Sequence, residues 1–223
     1  MRKHENFVID QSDSASTETF AAIGGVILVG LYLVYDVNQM TFIKGEQLAD
    51  LQQNARIGID RIVREVRLAG FYPENPPVIP PVCPTAIQSA TATSIRFLAD
   101  IDSDGKTERV QYTYSGCTPD CAADPPRIQR ERWRELTGGA CDADASWWPS
   151  GGAQPFTERV AANPPGIAFA YFDSAGNPIP APVIPSSLGN IRRISITITT
   201  QDAQTGSTAQ PFTLRAEVRP RNL

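Results

Sequence analysis

The sequence predicts an α+β fold, in which a long N-terminal helix packs on a globular domain of antiparallel strands. An apolar stretch runs into an amphipathic stretch with no proline between them, and short alternating runs separated by turn-forming residues fill the second half of the chain. We therefore expect a polar N-terminal segment (1–19), a long helix (20–70), a proline-rich connection (71–84) and a β-rich globular domain (85–223).

The apolar stretch, residues 20–35, reads FAAIGGVILVGLYLVY and contains no charge. A hydrocarbon core takes about 20 apolar residues, and an uncharged neighbour such as Thr19 extends the stretch towards that length. The alternative is a buried helix of a soluble protein. Gly24, Gly25 and Gly30 would weaken a soluble helix but are common in membrane helices, so the composition favours a membrane helix.

The amphipathic stretch carries its apolar residues at steps of three and four, which places them on one helical face. These residues are Leu48, Leu51, Ala55, Ile59, Ile62, Val66 and Ala69. Arg61, Arg64 and Arg67 followed by Gly70 form a C-terminal helix signal. We expect one helix of about 50 residues, with its first half in lipid and its second half against the strands.

Several runs predict strands. Residues 94–99 and 108–114 flank the turn-like DIDSDGKT and predict a hairpin, and residues 127–134 form a weaker candidate. The run 166–173 is apolar at nearly every position and predicts a central strand buried on both faces. Two further strands alternate, one through Ile194, Ile196 and Ile198 and one through Phe212, Leu214, Ala216 and Val218.

Four cysteines, Cys83, Cys117, Cys121 and Cys141, all follow the apolar stretch. An even number of cysteines beyond a membrane helix predicts disulfides in an oxidising compartment, with three possible pairings. A zinc site is the alternative. It usually needs two closely spaced pairs of ligands, whereas only Cys117 and Cys121 are close here and the single histidine is His4.

Four stretches together resemble the type IV pilin-like family, most closely PilW-type minor pilins or the related J-type pseudopilins of type II secretion. They are AAIGGVILVGLYLVY, LQQNARIGIDRIVREVRLAGF, IRFLADIDSDGKTERVQYTY and the C-terminal IRRISITITT with FTLRAEVRPRNL. The resemblance implies that the helix packs with sister helices in a filament core, through residues such as Ile23, Val26, Leu28 and Leu31. It also implies pilin-like subunits and an inner-membrane assembly platform as partners, and an inner-membrane location with the globular domain in the periplasm, or a cell-surface filament.

The chain departs from the family at its processing site. The family is cleaved after a glycine that precedes an aromatic residue or Met and a run such as Thr-Leu-Ile-Glu, whereas the matching region here, residues 11–20, is polar. We expect either a diverged, anchored protein that is not cleaved or a gene-model error, such as a frameshift or a wrong start, upstream of Ala21. Glu18 lies near the acidic residue of the family, where it would pair with a basic group of a neighbouring subunit or favour the helix N-terminus through the dipole.

An acidic hairpin and a tryptophan pair are the candidate binding features. The acidic residues are Asp100, Asp102, Asp104 and Glu108. Oxygen ligands before a glycine resemble the first half of a calcium loop, but the twelfth position of an EF-hand is Gln111, which provides no carboxylate. The alternative is a solvated turn. Trp147 and Trp148 are expected in a loop, either contacting a partner or filling a small satellite core.

The sequence does not indicate an enzyme or a nucleic-acid-binding protein. His4 stands alone in a polar tail, and no glycine-rich phosphate loop follows a strand. The 20 basic residues are dispersed among 24 acidic ones, which gives a net charge of −4. We expect no resident cofactor, apart from the calcium hypothesis. The leading hypothesis is a filament-assembly subunit, and the alternative is an anchored extracytoplasmic protein that binds a ligand through the tryptophan pair or the acidic hairpin.

Overall fold

The computed structural model describes residues 12–71, 85–116, 125–135, 147–149, 152–162, 164–201 and 211–223. The chain divides into two compact units, Met1–Gln47 and Leu48–Leu223. All the strands of the described residues lie in the second unit, together with the last 20 residues of the long helix. The described residues thus form an α+β architecture.

The long helix, α1, extends over Ser12–Arg67 and has 56 residues. The prediction of one continuous helix across the apolar and amphipathic stretches is confirmed. The helix begins eight residues before Phe20, so residues 12–19, which we expected to precede it, form its first turns. Short polar and acidic side chains are common in the first turns of helices, because they complement free N–H groups and the positive end of the dipole.

Helix α1 is followed by a turn that requires glycine at position 70. Gly70 has a φ of +81°, in the left-handed region. Its N–H donates to the Leu98 carbonyl at 2.9 Å, and a Cβ at this position would lie 2.6 Å from the Asn222 carbonyl oxygen. Both the backbone angle and the close approach exclude a side chain, and the predicted C-terminal helix signal is confirmed.

Six strands of the described residues form a first antiparallel sheet. They are β1 (Ile87–Ala90), β2 (Ser94–Ala99), β3 (Glu108–Ser115), β4 (Arg127–Glu135), β5 (Trp147–Pro149) and β6 (Gln154–Thr157). The strands β1 to β5 lie in sequential order, and β6 pairs with a different part of β4. The predicted hairpin is confirmed, because β2 and β3 pair from Ser94 with Thr113 to Ala99 with Glu108.

Four strands of the described part of the chain form a second antiparallel sheet in the order β10-β9-β7-β8. They are β7 (Ile167–Phe172), β8 (Pro178–Ile179), β9 (Arg193–Thr200) and β10 (Phe212–Val218), and a short helix α2 (Pro185–Leu188) precedes β9. The two alternating C-terminal strands are confirmed as β9 and β10, and they pair with each other with Ile196 opposite Ala216. The sequence indicated one β-rich body and did not distinguish the two sheets.

Strand β7 corrects one expectation. It lies between β8 and β9, so its central position is confirmed, but only one of its faces is buried. Ile167, Phe169 and Tyr171 point into the core, whereas Ala168 and Ala170 are exposed. Alanine is small enough to be tolerated on a solvated face, so an uninterrupted apolar run does not by itself show that both faces are covered.

One apolar core joins the amphipathic part of α1 to both sheets. The predicted stripe of α1 contributes five of its members, Ala55, Ile59, Ile62, Val66 and Ala69, and packs with residues such as Phe97 of β2 and Ile196 of β9. Leu51 is also buried, whereas Leu48, the first residue of the stripe, is 43 % exposed. The expected packing of the helix on the strands is therefore confirmed from Leu51 onwards.

Candidate functional site

The apolar half of α1 is exposed on all sides. Ile23, Val26, Leu28 and Leu31 are each more than half exposed, as are most large apolar side chains between residues 20 and 43. Among the described residues, α1 is the one helix long and apolar enough to cross a membrane, and it lies near the N-terminus. By length and composition this helix could be a membrane anchor or a signal sequence. Glu18 lies in its first turns, but its side chain is outside the description, so both interpretations of Glu18 stay predictions.

The amphipathic half of α1 carries one buried carboxylate, that of Glu65, which is 5 % exposed. Its Oε2 accepts hydrogen bonds from the hydroxyl of Tyr112 at 2.6 Å and from Nε of Arg130 at 2.9 Å, and its Oε1 accepts one from Nε of Arg61 at 3.0 Å. Tyr112 lies on β3 and Arg130 on β4. Glu65 therefore joins the helix to two strands of the first sheet.

The pKa shifts of Tyr112 and Arg130 agree with their hydrogen bonds to Glu65. Burial, followed by the charge of Glu65, raises the pKa of Tyr112 well above its usual value. Burial opposes the charge on Arg130, but its hydrogen bond with Glu65 and the charge of Glu65 outweigh that effect and raise its pKa. At neutral pH Tyr112 is a neutral donor and Arg130 a charged one, so the carboxylate of Glu65 is compensated.

A second set of polar side chains lies in and beside the connection between β2 and β3. Asp100 directly follows β2, Glu108 is the first residue of β3, and Asp102 lies in the connection. One carboxylate oxygen of each lies within 4.8 Å of the corresponding oxygens of the other two. The structure therefore brings together three of the four acidic residues singled out in the sequence. The fourth, Asp104, accepts a bond from the Lys106 N–H at 3.0 Å.

Two of these carboxyl groups are almost wholly removed from solvent. Asp100 is 3 % exposed and Glu108 is 0 % exposed. Oδ2 of Asp100 accepts the Gly105 N–H at 3.2 Å, and Oε2 of Glu108 accepts the Ile101 N–H at 2.9 Å. The other oxygen of each group, Oδ1 of Asp100 and Oε1 of Glu108, is buried without a hydrogen-bond donor among the described residues. This pairing of buried and unsatisfied oxygens differs from a solvated turn, which was the alternative interpretation.

Asp102 is more exposed and faces a cation. Its Oδ2 accepts a bond from Nη1 of Arg132 on β4 at 3.1 Å. Burial raises the pKa of Glu108 to about 7; the Ile101 N–H lowers it, and the nearby charge of Asp102 raises it further. Asp100, Asp102 and Glu108, defined here as the acidic cluster, thus bring three carboxyl groups together, two of them buried.

The tryptophan pair and the cysteines differ from the acidic residues in what the structure shows of them. Trp147 and Trp148 were expected in a loop, but they lie in β5, paired with β4. Their side chains are outside the description, so their role as a partner contact stays a prediction. Cys83, Cys117, Cys121 and Cys141 all lie outside the described residues, and the disulfide prediction stays open.

Sequence reasoning missed Glu65 and its two partners in the sheet. The signal was present, since Glu65 comes three residues after Ile62 and directly before Val66, on the edge of the apolar stripe. A carboxylate at such a position indicates a buried partner, but nothing in the local pattern identifies Tyr112 or Arg130, which follow 47 and 65 residues later. No protein-family model matches the chain, and no curated protein shows significant similarity to it.

Proposed function

We propose that this protein is a membrane-anchored subunit of the type IV pilin-like class, a minor pilin or pseudopilin that takes part in priming or capping a pilus or a secretion pseudopilus. In this proposal the apolar half of α1 holds the chain in the inner membrane and then packs with sister helices, and the β-rich body lies in the periplasm or on a cell-surface filament. The observation that carries the proposal is α1 itself, one 56-residue helix with an exposed apolar half and a half buried on a β-rich body.

The proposal rests on the cost of exposing the apolar half to water. Fully burying a Val, Leu or Ile side chain contributes about 1.5–3 kcal/mol, so the many exposed apolar side chains of residues 20–43 favour an apolar environment over water. Lipid can provide it, and so can helices of other subunits. One helix that serves both environments explains why the chain continues without a break from Phe20 into the body rather than ending in a flexible linker.

Three glycines support helix packing as well as anchoring. A Cβ built on Gly24, Gly25 or Gly30 would meet no atom within 4 Å, so the fold of the chain itself does not need glycine there. Each glycine nevertheless weakens a helix, by about 1 kcal/mol relative to alanine in water. Small residues on membrane helices allow a second helix backbone to approach closely, so these glycines would form the contact with a neighbouring helix in an assembly.

The test separates anchoring from assembly. Gly25→Leu combined with Gly30→Leu keeps the helix apolar, and hence in the membrane, but blocks close approach of another helix. Val34→Leu is the matched control, because it adds bulk at a position that already has a side chain. The chain is purified from its native envelope, and membrane retention and co-purified pilin-like chains are measured together.

We expect unchanged membrane retention for all variants and at least a fivefold loss of co-purified pilin-like chains for the glycine double variant alone. A wild-type chain that stays in the membrane without pilin-like partners would contradict the proposal. It would favour the alternative of an unprocessed anchored protein that binds a ligand outside the cytoplasm.

A further inference from the structure

We propose that the acidic cluster of Asp100, Asp102 and Glu108 is a calcium site that fixes the connection between β2 and β3 to the end of helix α1. The inference does not depend on the assembly proposal, because it rests on side chains of the β-rich unit alone.

The first argument is the pair of buried oxygens without donors. Oδ1 of Asp100 and Oε1 of Glu108 lack a hydrogen-bond donor among the described residues, although their side chains are at least 97 % buried. A buried, uncompensated carboxylate oxygen is costly, and the cost grows when a second carboxylate is close by. A bound cation would satisfy both oxygens and offset the repulsion between the groups.

The second argument is size. One oxygen from each of the three carboxylates lies within 4.8 Å of the others. Calcium binds oxygen at about 2.3–2.6 Å, so two ligands on opposite sides of one ion are separated by about 4.6–5.2 Å. Three oxygens arranged around one ion at about 2.6 Å are at most about 4.5 Å apart, so the three carboxylates can share one calcium ion with side-chain adjustments of a few tenths of an ångström. Magnesium binds oxygen at about 2.0–2.1 Å, demands near-ideal octahedral geometry and gives up its waters reluctantly, so an irregular cluster of this kind favours calcium.

The remaining ligands can come from water. The side chain of Asp102 is 35 % exposed, so the cluster is open to solvent on that side. Calcium takes six to eight oxygen ligands and tolerates irregular geometry, so three carboxylates with several waters suffice for a weak site. The Arg132 guanidinium on Oδ2 of Asp102 opposes very tight binding, because it already compensates part of the charge.

The consequence of binding would be local order at the end of α1. The N–H of Asp100 donates to the carbonyl of Phe71 at 2.9 Å, and the N–H of Gly70 donates to the carbonyl of Leu98 at 2.9 Å. The backbone of Asp100 thus holds the residues that follow the helix, while its side chain belongs to the cluster. An ion on Asp100 would therefore restrain the position from which the chain leaves α1.

The experiment is calcium titration by calorimetry of the full chain in detergent, after removal of divalent ions with chelator, with magnesium chloride as the second probe. We expect one calcium per chain, at least tenfold weaker binding of magnesium, and a higher midpoint of thermal unfolding in calcium than in chelator. Absence of calcium binding at millimolar concentration would overturn the proposal.

Two variants and a control assign the site. Glu108→Gln removes one buried ligand charge at nearly constant volume, and Asp102→Asn does the same at an exposed position where folding is not at risk. Each should weaken calcium binding at least tenfold. Asp173→Asn is the control, because Asp173 belongs to a different hairpin turn, where its carboxylate accepts bonds from Asn177. Equal loss in the control, or unchanged affinity in both cluster variants, would overturn the assignment.

Discussion

Replacing Glu65 with alanine should destabilise the β-rich unit by about 3–5 kcal/mol, because the substitution leaves two buried partners in the sheet without their acceptor. The Tyr112 hydroxyl and Nε of Arg130 both bond to Oε2 of Glu65, and the Arg130 side chain is only 14 % exposed. Most of the loss comes from these two groups. The bond from Arg61, whose side chain is 51 % exposed, contributes less than about 1 kcal/mol.

The assay is thermal unfolding of the full chain in detergent, followed by the near-ultraviolet circular dichroism of the aromatic side chains in the β-rich unit. For a cooperative unit of this size, each kcal/mol corresponds to about 2–4 °C, so the midpoint should fall by about 6–20 °C. Glu65→Gln retains an acceptor and loses the charge, and should therefore fall between alanine and wild type.

The matched control is Glu217→Ala. Glu217 pairs with Arg193 at 3.0 Å and with Arg215 at 3.2 Å, but its side chain is 43 % exposed. Its removal should cost less than about 1 kcal/mol, since exposed ion pairs contribute little. Equal shifts for Glu65→Ala and Glu217→Ala would refute the reasoning that burial, rather than the number of ion pairs, sets the cost.

Two further predictions concern tight packing and alkaline pH. Gly58 faces β6, and a Cβ added at this position would lie 2.6 Å from Oγ1 of Thr157. Gly58→Ala should therefore lower the free energy of unfolding, because overpacking costs more than the roughly 1 kcal/mol gained in helix propensity. In a Thr157→Ala background the same change should be neutral or stabilising, and a double-mutant cycle by urea unfolding without coupling would contradict this contact. The Tyr171 hydroxyl donates to the Thr91 carbonyl at 2.7 Å, and burial raises its pKa, so Tyr171→Phe should cost about 1 kcal/mol at pH 7. The unfolded tyrosine ionises near pH 10, whereas burial keeps the folded one neutral to higher pH, so wild type loses stability above pH 10. The difference in unfolding free energy between wild type and Tyr171→Phe should therefore shrink above that pH. A difference that stays constant to pH 11 in urea unfolding would show that Tyr171 ionises equally in both states.

Local patterns in the sequence determined the elements. The absence of proline between residues 35 and 73 and the apolar spacing from Leu51 to Ala69 predicted α1, and the alternation through Ile194, Ile196 and Ile198 predicted β9. These predictions succeed because helix and strand place side chains with fixed periods of 3.6 and 2 residues, so a buried face is visible within a few turns of chain. The end of the helix at Gly70 was visible for the same local reason.

Tertiary structure decided the relations between distant residues. Only the structure shows the two sheets, the exposed face of β7, the position of Trp147 in a strand and the partners of Glu65. All of these depend on which segments pack together, and the pairing of segments far apart in sequence produces no periodic pattern along the chain. The acidic residues illustrate both levels. Their spacing in the sequence marked a turn with oxygen ligands, but only the fold buried Asp100 and Glu108 and left an oxygen of each without a donor among the described residues, because burial depends on what packs around the turn.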